Sequence, residues 1–457
     1  MKFRLTSICL QKIATFLLIF LCFFSESQTE KIKEGTYTDL TIALENPLDV
    51  RVLDLRDQQL VTLPKEIGKL QNLQELNLSF NNFTSFPKEM GQLGNLQTLN
   101  LNNNQLTILP KEIGQLGNLR ELHFYHNRFT TIPKEIGQLK NLQKLHLSSN
   151  QLTTLPKEIE QLQNLRELYL GRNQFTYLPE AIGNLQNLKN LDLNENQLAI
   201  LPKEIGQLQN LQRLILPFNR LTTLPKEIGN LQNLKDLDLR FNQLTTLPKE
   251  IEQLKNLQEL HFYNNRFVAL PEEIWKLQSV EKLILSQSRL TTLPEEIGKF
   301  QKLKNLDLSF NRFTTFPEKI RELKDLKVLN LVSNQLIILP NEIGQLQKLE
   351  DLWLEYNQLK SLPEEIGQLQ NLKTLNLRSN QLTTIPREIG NLQNLQWLDL
   401  SENRLTNFPK AVEQLRNLRK LYLYSNPLPL KEKEKIRKLL PKCEIYFEQD
   451  RLYPFKA

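Results

Sequence analysis

The chain has 457 residues, of which 40% are hydrophobic and 24% are charged, and its formal net charge is +7. This composition excludes a disordered chain, and three cysteines are too few for a disulfide-rich scaffold. Basic residues alternate with acidic ones and form no stripe that would follow a phosphate backbone, which argues against a nucleic-acid partner. We therefore expect a folded protein whose partners are of another kind.

The first 27 residues have the features of a secretory signal peptide. Three basic residues precede the apolar run Ile13–Phe24, and Ser25–Ser27 supplies small residues at an exit site. As a helix the run is about 18 Å long, which is short for a bilayer core of about 30 Å. We expect export with cleavage after Ser27. Membrane association would require that the segment is retained as an anchor or lipidated at Cys22.

Cleavage would also remove two of the three cysteines, Cys9 and Cys22. Cys443 then has no partner for an intramolecular disulfide. No histidine or aspartate motif accompanies it locally, so a buried cap cysteine is favoured over a reactive thiol.

A period of 23 residues runs through the chain. The asparagine of L-x-L-x-x-N-x-L marks it at 17 places from Gln58 to Asn426, with Gln58 and Ser288 as the two substitutes. Prolines repeat with the same period from Pro64 to Pro409. The markers define one repeated domain over residues 51–426, preceded by a cap over 28–50 and followed by a cap over 427–457.

One repeat unit shows the physics of the whole. Leu76 and Leu78 alternate with polar residues, which predicts a short strand with one buried face. The amide of Asn81 then satisfies backbone groups of neighbouring turns, and proline begins a short helical or 3₁₀ return. These structural roles belong in the first repeats to Asn81, Asn104, Asn127 and Asn150 and to Pro64, Pro87 and Pro110.

A single unit cannot bury its leucines, but stacked units share a continuous core. The pattern is that of a leucine-rich repeat. We predict an α/β horseshoe solenoid with a parallel concave β-sheet and short helical or 3₁₀ convex segments. Asp39–Leu44 is the expected helix of the N-terminal cap, and Lys431–Leu440 with a strand at Cys443–Phe447 is the expected C-terminal cap.

The template L-x-x-L-P-x-E-I-G-x-L-x-N-L-x-x-L-x-L-x-x-N resembles the 23-residue leucine-rich repeat proteins of pathogenic spirochaetes, especially the leptospires. The flanks Tyr37–Val52 and Glu432–Phe447 share the resemblance. It implies an exported protein at the cell surface or secreted, which binds host molecules. Intracellular Ras-associated repeat proteins have a similar unit, so the repeat type alone leaves the compartment open.

The repeat at Ser288 departs from the template. Trp275 replaces the usual glycine and Val280 replaces a leucine in the same region. Sequence drift is the favoured explanation, and the alternatives are a local change of curvature or a contact on the convex face through Trp275.

The concave strands carry aromatic and histidine residues at positions where the repeat template does not specify a residue type. Large rigid side chains on an exposed sheet favour protein binding, although scattered exposed aromatics are also ordinary. The candidate binding residues are His123, Tyr125, His126, His146, Tyr169, Phe218, Phe241, His261, Tyr263, Phe310, Trp353, Tyr356, Trp397, Tyr422 and Tyr424.

Within this set we expect two clusters, one around His123 and His146 and one around Trp353 and Trp397. His123 and His146 stand on adjacent strands about 4.8 Å apart, so adventitious Zn²⁺ or Ni²⁺ binding is conceivable. No metal and no cofactor are expected to be required.

The sequence has no phosphate-binding glycine loop, no H-E-x-x-H, no G-x-S-x-G and no Cys-His arrangement, which argues against an enzyme. We predict an exported binding protein that takes a protein or glycan ligand on its concave face, with host surface or matrix molecules implied by the resemblance. The alternatives are a periplasmic or envelope scaffold and an intracellular scaffold with an endogenous partner. The oligomeric state is left open.

Overall fold

A computed structural model describes residues 34–267 and 270–448. The predicted signal segment lies outside the described residues, as do Cys9 and Cys22. Among the described helices there is none with the length and apolar character that crossing a bilayer requires.

The described chain forms one open parallel sheet in which each strand pairs with the next strand along the sequence. The pairing is in register with the repeat, so that residues 23 apart are neighbours, as His123 and His146 are. The strands are β1 Thr36–Tyr37, β2 Val52–Asp54, β3 Glu75–Asn77, β4 Thr98–Asn100, β5 Glu121–His123, β6 Lys144–His146, β7 Glu167–Tyr169, β8 Asn190–Asp192, β9 Arg213–Ile215, β10 Asp236–Asp238, β11 Glu259–His261, β12 Lys282–Ile284, β13 Asn305–Asp307, β14 Val328–Asn330, β15 Asp351–Trp353, β16 Thr374–Asn376, β17 Trp397–Asp399, β18 Lys420–Tyr422 and β19 Glu444–Tyr446.

The return segments are 3₁₀ helices of five residues, each preceded by one of the periodic prolines. Pro64, Pro87 and Pro110 have φ values of −70°, −68° and −66° and stand just before the first helical residue. The 3₁₀ helices are Lys65–Lys69, Lys88–Gln92, Lys111–Gln115, Lys134–Gln138, Lys157–Gln161, Glu180–Asn184, Lys203–Gln207, Lys226–Asn230, Lys249–Gln253, Glu272–Lys276, Glu295–Lys299, Glu318–Glu322, Asn341–Gln345, Glu364–Gln368, Arg387–Asn391 and Lys410–Gln414.

The template leucines and isoleucines form one continuous buried core between the sheet and the 3₁₀ helices. The asparagine ladder runs beside this core. Asn219 Nδ2 donates to the carbonyls of Leu193 at 2.9 Å and Leu216 at 3.0 Å, and its Oδ1 accepts from the Leu198 amide at 3.0 Å. Each ladder asparagine thus joins its own repeat to the preceding one. The same bonds are made by Asn81, Asn104, Asn127 and Asn150.

The residue immediately before each marker has a left-handed backbone conformation, with φ between 49° at Glu195 and 59° at Asn264. This turn directs the chain out of the strand and into the return segment. Asparagine and glycine accept such a φ readily, whereas bulky residues adopt it at a cost in free energy. Phe80, Phe218 and Phe310 therefore occupy strained positions at the edge of the concave face.

Both ends of the solenoid are covered. Helix α1, Leu40–Glu45, is capped by Asp39 Oδ1, which accepts from the Thr41 and Ile42 amides. Helix α2, Leu430–Leu439, buries Ile436, and β19 adds the last strand of the sheet. Cys443 is half-buried, and burial together with Glu444 raises the pKa of its thiol to about 12, which keeps the thiol protonated.

The packing between repeats is interrupted near Trp275. In most repeats this position is glycine, although Glu160, Glu252, Arg321 and Glu413 also occupy it. At Gly206 an added Cβ would lie 2.4 Å from the Glu227 carbonyl oxygen. Trp275 instead packs its ring edge-on against Phe300 at 6.0 Å and is only 5% exposed. A cleft of about 1210 Å³ opens beside it, between this repeat and the next. The break therefore changes the local packing, and the alternative of an exposed convex contact through Trp275 is wrong because the indole points inward.

Candidate binding face

The three-residue strands fix which side chains face the concave surface. The middle residue of each strand is buried, while the first and third residues point to the other side of the sheet. The third position carries His123, His146, Tyr169, His261 and Trp353, all of which are half-buried.

The first cluster predicted from the sequence is present. His146 is at its centre, with ring centroids 6.3 Å from His123, 5.3 Å from Tyr125 and 5.1 Å from Tyr169. His126 adjoins Tyr125 at 5.9 Å and is more exposed than the others. Five side chains from three consecutive repeats thus form one aromatic surface, which we call the histidine cluster.

The protonation of this cluster is set by burial. The pKa of His146 is lowered to about 4 by desolvation, with smaller contributions from the charges of His123 and Lys144, so its ring is neutral at physiological pH. Desolvation also raises the pKa of Tyr169 to about 12, with the hydrogen bond from its hydroxyl to Glu167 adding to the effect. His123 Nε2 lies 3.0 Å from Glu121 Oε2 on the same strand. His146 therefore contributes a neutral ring to the centre of the cluster.

A second group of rings contains residues that the sequence analysis names as single binding candidates but does not assign to a cluster. Phe218 and Phe241 stack in parallel with centroids 4.2 Å apart, and Tyr263 meets Phe241 edge-on at 5.3 Å. The guanidinium of Arg240 lies 5.7 Å from the Tyr263 ring and pairs with Asp238. The signal for this group was present in the sequence, since all three rings occupy positions one or two before consecutive markers.

The tryptophan cluster is also present, and it extends further than predicted. Trp397 lies between Trp353 at 5.8 Å and Tyr422 at 5.6 Å, and Tyr422 stacks on Tyr446 at 4.6 Å. Tyr446 was missed because it belongs to the cap strand β19, which has no marker. Its pairing with Tyr422 across β18 and β19 places it in the same row of the sheet.

Tyr424 does not belong to the exposed surface. We predicted it as solvent-facing, and this is wrong because its side chain is only 2% exposed. Side chains two before the marker lie where the strand enters its turn, and Ser401 at the same place is likewise buried. The Arg378 guanidinium covers the Tyr424 ring at 5.5 Å and also lies 5.8 Å from Tyr356, so an unpredicted arginine joins these two tyrosines.

Not every side chain at the third strand position is exposed to solvent. Asp238, Asn376 and Asp399 are 4%, 5% and 1% exposed. Their side chains turn back toward the strand ends, as Asp238 Oδ1 does in accepting from the Arg240 amide.

Potential metal ligands lie close together at a different place from His123 and His146, the pair considered from the sequence. In the described part of the chain, the group of three whose ligand atoms lie within 4.8 Å of one another is Asp236, Glu259 and His261. Cations already pair with it, since Arg213 Nε is 3.1 Å from Asp236 Oδ2 and Lys282 Nζ is 3.0 Å from Glu259 Oε2. The group is therefore charge-balanced by side chains of the neighbouring strands.

Phe310 lies between the second group and the tryptophan cluster and is 55% exposed. It borders a hollow whose other wall includes Trp353 and Glu355. Glu355 was not predicted, because an acidic residue two before a marker has no distinguishing pattern in the sequence.

Comparison with protein families finds the leucine-rich repeat region at residues 38–128, 214–288, 282–379 and 360–440. Further leucine-rich repeat profiles match residues 117–175 and 163–203. A comparison with curated proteins finds no significant match.

Among solved structures the chain is similar to a leucine-rich repeat protein of Leptospira interrogans, with 50% identity and a TM-score of 0.78 over 91% of this chain and 100% of that chain. It is 33% identical to a plant peptide hormone receptor solved in complex with RGF2, with a TM-score of 0.65 over 87% of this chain and 65% of that one. A functional domain of InlJ from Listeria monocytogenes, at 21% identity and a TM-score of 0.59 over 83% and 74% of the two chains, shares the fold.

Proposed function

Because this chain belongs to the leucine-rich repeat family and is similar to a leptospiral member of it, we propose that it binds a protein ligand across its concave sheet. The observation that carries the proposal is the grouping of rings on consecutive strands of a rigid sheet. In the histidine cluster the centroids lie 5.1 to 6.3 Å apart. Such rings provide a large contact area at little cost in side-chain entropy.

A peptide ligand fits this surface as well as a folded protein does. The plant receptor of similar architecture was solved in complex with RGF2, and a parallel sheet of the same kind is present here. Glycans remain within the proposal, since exposed aromatic faces also stack on apolar patches of other molecules.

We further propose that the protein is exported and engages host surface or matrix molecules. The signal-like segment Met1–Ser27 supports export, and the resemblance to leptospiral repeat proteins supports a host ligand. A periplasmic or envelope role with an endogenous partner is the alternative, and it shares the same binding face.

The binding proposal is tested by capture of partners on the immobilised protein lacking residues 1–27. Trp353→Ala/Trp397→Ala and His123→Ala/His146→Ala should each weaken a captured partner, because each removes the centre of one cluster. Tyr177→Ala is the matched control, since it removes a 54% exposed ring that lies outside the strands, two residues before Pro179. A partner that is retained fully by both double variants contradicts the concave assignment.

Export is tested separately by fractionation and N-terminal sequencing of the protein from its native cell. A mature N-terminus after Ser27 in an extracellular or surface fraction is expected. Met1 on a cytosolic species would contradict export while leaving the binding proposal intact.

A further inference from the structure

A hollow of about 420 Å³ lies on the concave face between β12 and β15. Its apolar lining includes Ile284, Phe310, Val332 and Trp353, which stand on four different repeats. Phe310 is exposed at its rim, whereas Val332 forms its floor at 9% exposure. The hollow is therefore wide enough for one extended side chain and has walls suited to a methylene stem.

Carboxylates are the charged groups in this lining. Glu355 and Asp307 both contribute to it, and neither lysine nor arginine is among its described lining residues. Asp307 Oδ1 accepts from the Ser309 amide at 2.8 Å, which fixes that carboxylate in place. Arg378 is the nearby cation, and it is engaged with Glu402 at 2.7 Å.

Glu355 stands out because its Oε2 atom is buried without a hydrogen-bond partner. Buried acceptors in folded proteins are nearly always satisfied, since an unmet acceptor loses the bonds that water would have made. Burial raises the pKa of Glu355 to about 7, with the charge of Asp399 adding to the effect and Arg378 opposing it. The carboxyl is thus poorly solvated in the free protein, and a cation placed beside it in the hollow would favour its charged form.

We propose that this hollow is a specificity pocket for a long cationic side chain, arginine or lysine, of the ligand. The stem lies against Phe310 and Trp353, the charged group reaches Glu355, and the faces of the two rings favour a cation beside them. An apolar side chain fits the walls equally well but leaves the Glu355 acceptor unmet, and an acidic side chain would face two carboxylates. The pocket deepens the proposed function, on which it rests, by assigning the chemistry of one contact.

A direct test uses protein labelled with 5-fluorotryptophan, whose three fluorine resonances are assigned with single Trp→Phe variants. The probe is N-acetylarginine methylamide, and N-acetylcitrulline methylamide is the neutral control of equal shape. We expect saturable displacement of the Trp353 resonance with a dissociation constant on the order of 1 mM. The Trp275 resonance, which belongs to a buried ring, should stay in place.

Glu355→Gln should weaken arginine binding about tenfold, since a charge-assisted bond is replaced by a neutral one. Glu364→Gln, which removes an exposed carboxylate on the 3₁₀ helix of the same region, should leave binding unchanged. Circular dichroism like that of the unsubstituted protein, and a melting temperature that is not lowered, establish that the fold of both variants is intact.

Equal binding of arginine and citrulline probes would overturn the proposal, as would undiminished binding to Glu355→Gln. The titration needs no natural partner, so a failed partner capture does not affect its outcome. Conversely, a failed titration alongside a captured partner that depends on Trp353 and Trp397 would refute the pocket and leave concave binding standing.

Discussion

Replacement of Ser288 by asparagine tests how the ladder stabilises the solenoid. Ser288 stands at a marker position, and its hydroxyl donates to the Ser286 carbonyl at 3.1 Å. A regular marker such as Asn334 instead donates to Leu308 at 3.0 Å and Leu331 at 3.1 Å and accepts from the Phe313 amide at 3.1 Å. Serine lacks the amide group that makes this set of bonds.

The consequences are visible around the substitution. Phe267 is half-buried, whereas Phe313 at the equivalent place is 0% exposed. Arg289 has an additional left-handed φ of 56°, and the same deviation follows the other substituted marker, where Gln59 has φ of 59°. In Ser288→Asn the new side chain would reach the Phe262 and Leu285 carbonyls and the Phe267 amide by the geometry of the other repeats.

Each buried hydrogen bond contributes about 0.5–1.5 kcal/mol net, and ordering the longer side chain offsets part of the gain. We therefore expect Ser288→Asn to raise the free energy of unfolding by about 2 kcal/mol. Asn334→Ser, the reverse change in a regular repeat, should lower it by a similar or larger amount because it leaves buried backbone groups unpaired.

Urea unfolding followed by circular dichroism measures both effects, and amide hydrogen exchange at Phe267 locates the gain in the substituted repeat. The exchange measurement matters because a repeat array need not unfold in a single step. If Ser288→Asn leaves both quantities unchanged while Asn334→Ser destabilises, the loosened repeat is caused by Trp275 and not by the missing amide.

Three other variants probe charge burial and backbone strain. Glu355→Gln should raise the free energy of unfolding above pH 7 by about 1–2 kcal/mol, after allowance for solvent screening. The native carboxyl keeps its proton up to about pH 7, whereas the unfolded carboxyl keeps its proton only up to about pH 4.5. Wild-type stability therefore falls as the pH rises through this window. Urea titrations at pH 4.5 and 8 check this, and an equal loss in wild type and variant would contradict it. His146→Gln should show the opposite pH dependence of stability, because an unfolded histidine gains a proton below pH 6.5 and the native ring gains one only near pH 4. On acidification across this range the wild type should therefore lose about 1 kcal/mol more unfolding free energy than the variant. An identical loss of stability with acid in both proteins would refute the burial of the ring. Phe80→Asn should raise the free energy of unfolding by about 0.5–1 kcal/mol, and with it the melting temperature, because asparagine accepts the left-handed φ of 57°. Phe80→Ala is its control, and an equal gain in that variant would point to loss of the exposed ring instead.

The binding clusters were partly readable from the chain because the register of a solenoid follows its period. His123, His146 and Tyr169 are 23 residues apart, so their adjacency needed no coordinates. Phe218 and Phe241 obey the same rule, and the stack they form was overlooked only because the rings were treated singly. Tyr446 could not be found in this way, since α2 shifts the cap strand off the period.

The 23-residue period did not determine how deeply each concave side chain is buried. Tyr424 and Tyr125 occupy the same place in their repeats, yet the first is 2% exposed and the second is half-buried. Arg378, which lies two repeats before Tyr424, covers its ring and contributes to this difference. Such coverage depends on long side chains that bend across the sheet, and no spacing rule describes their paths.

The sequence by itself determined the fold, the pairing of every repeat with the next, and the set of side chains on each face. It could do so because a 23-residue unit cannot bury its leucines alone and has one way to stack on its copies. Only the tertiary structure decided which concave residues are exposed, where Trp275 separates two repeats, and that Glu355 has an unmet acceptor beside an apolar hollow. These properties arise from contacts among three or four neighbouring repeats at once, where the volume and charge of each side chain set the solvation of the others.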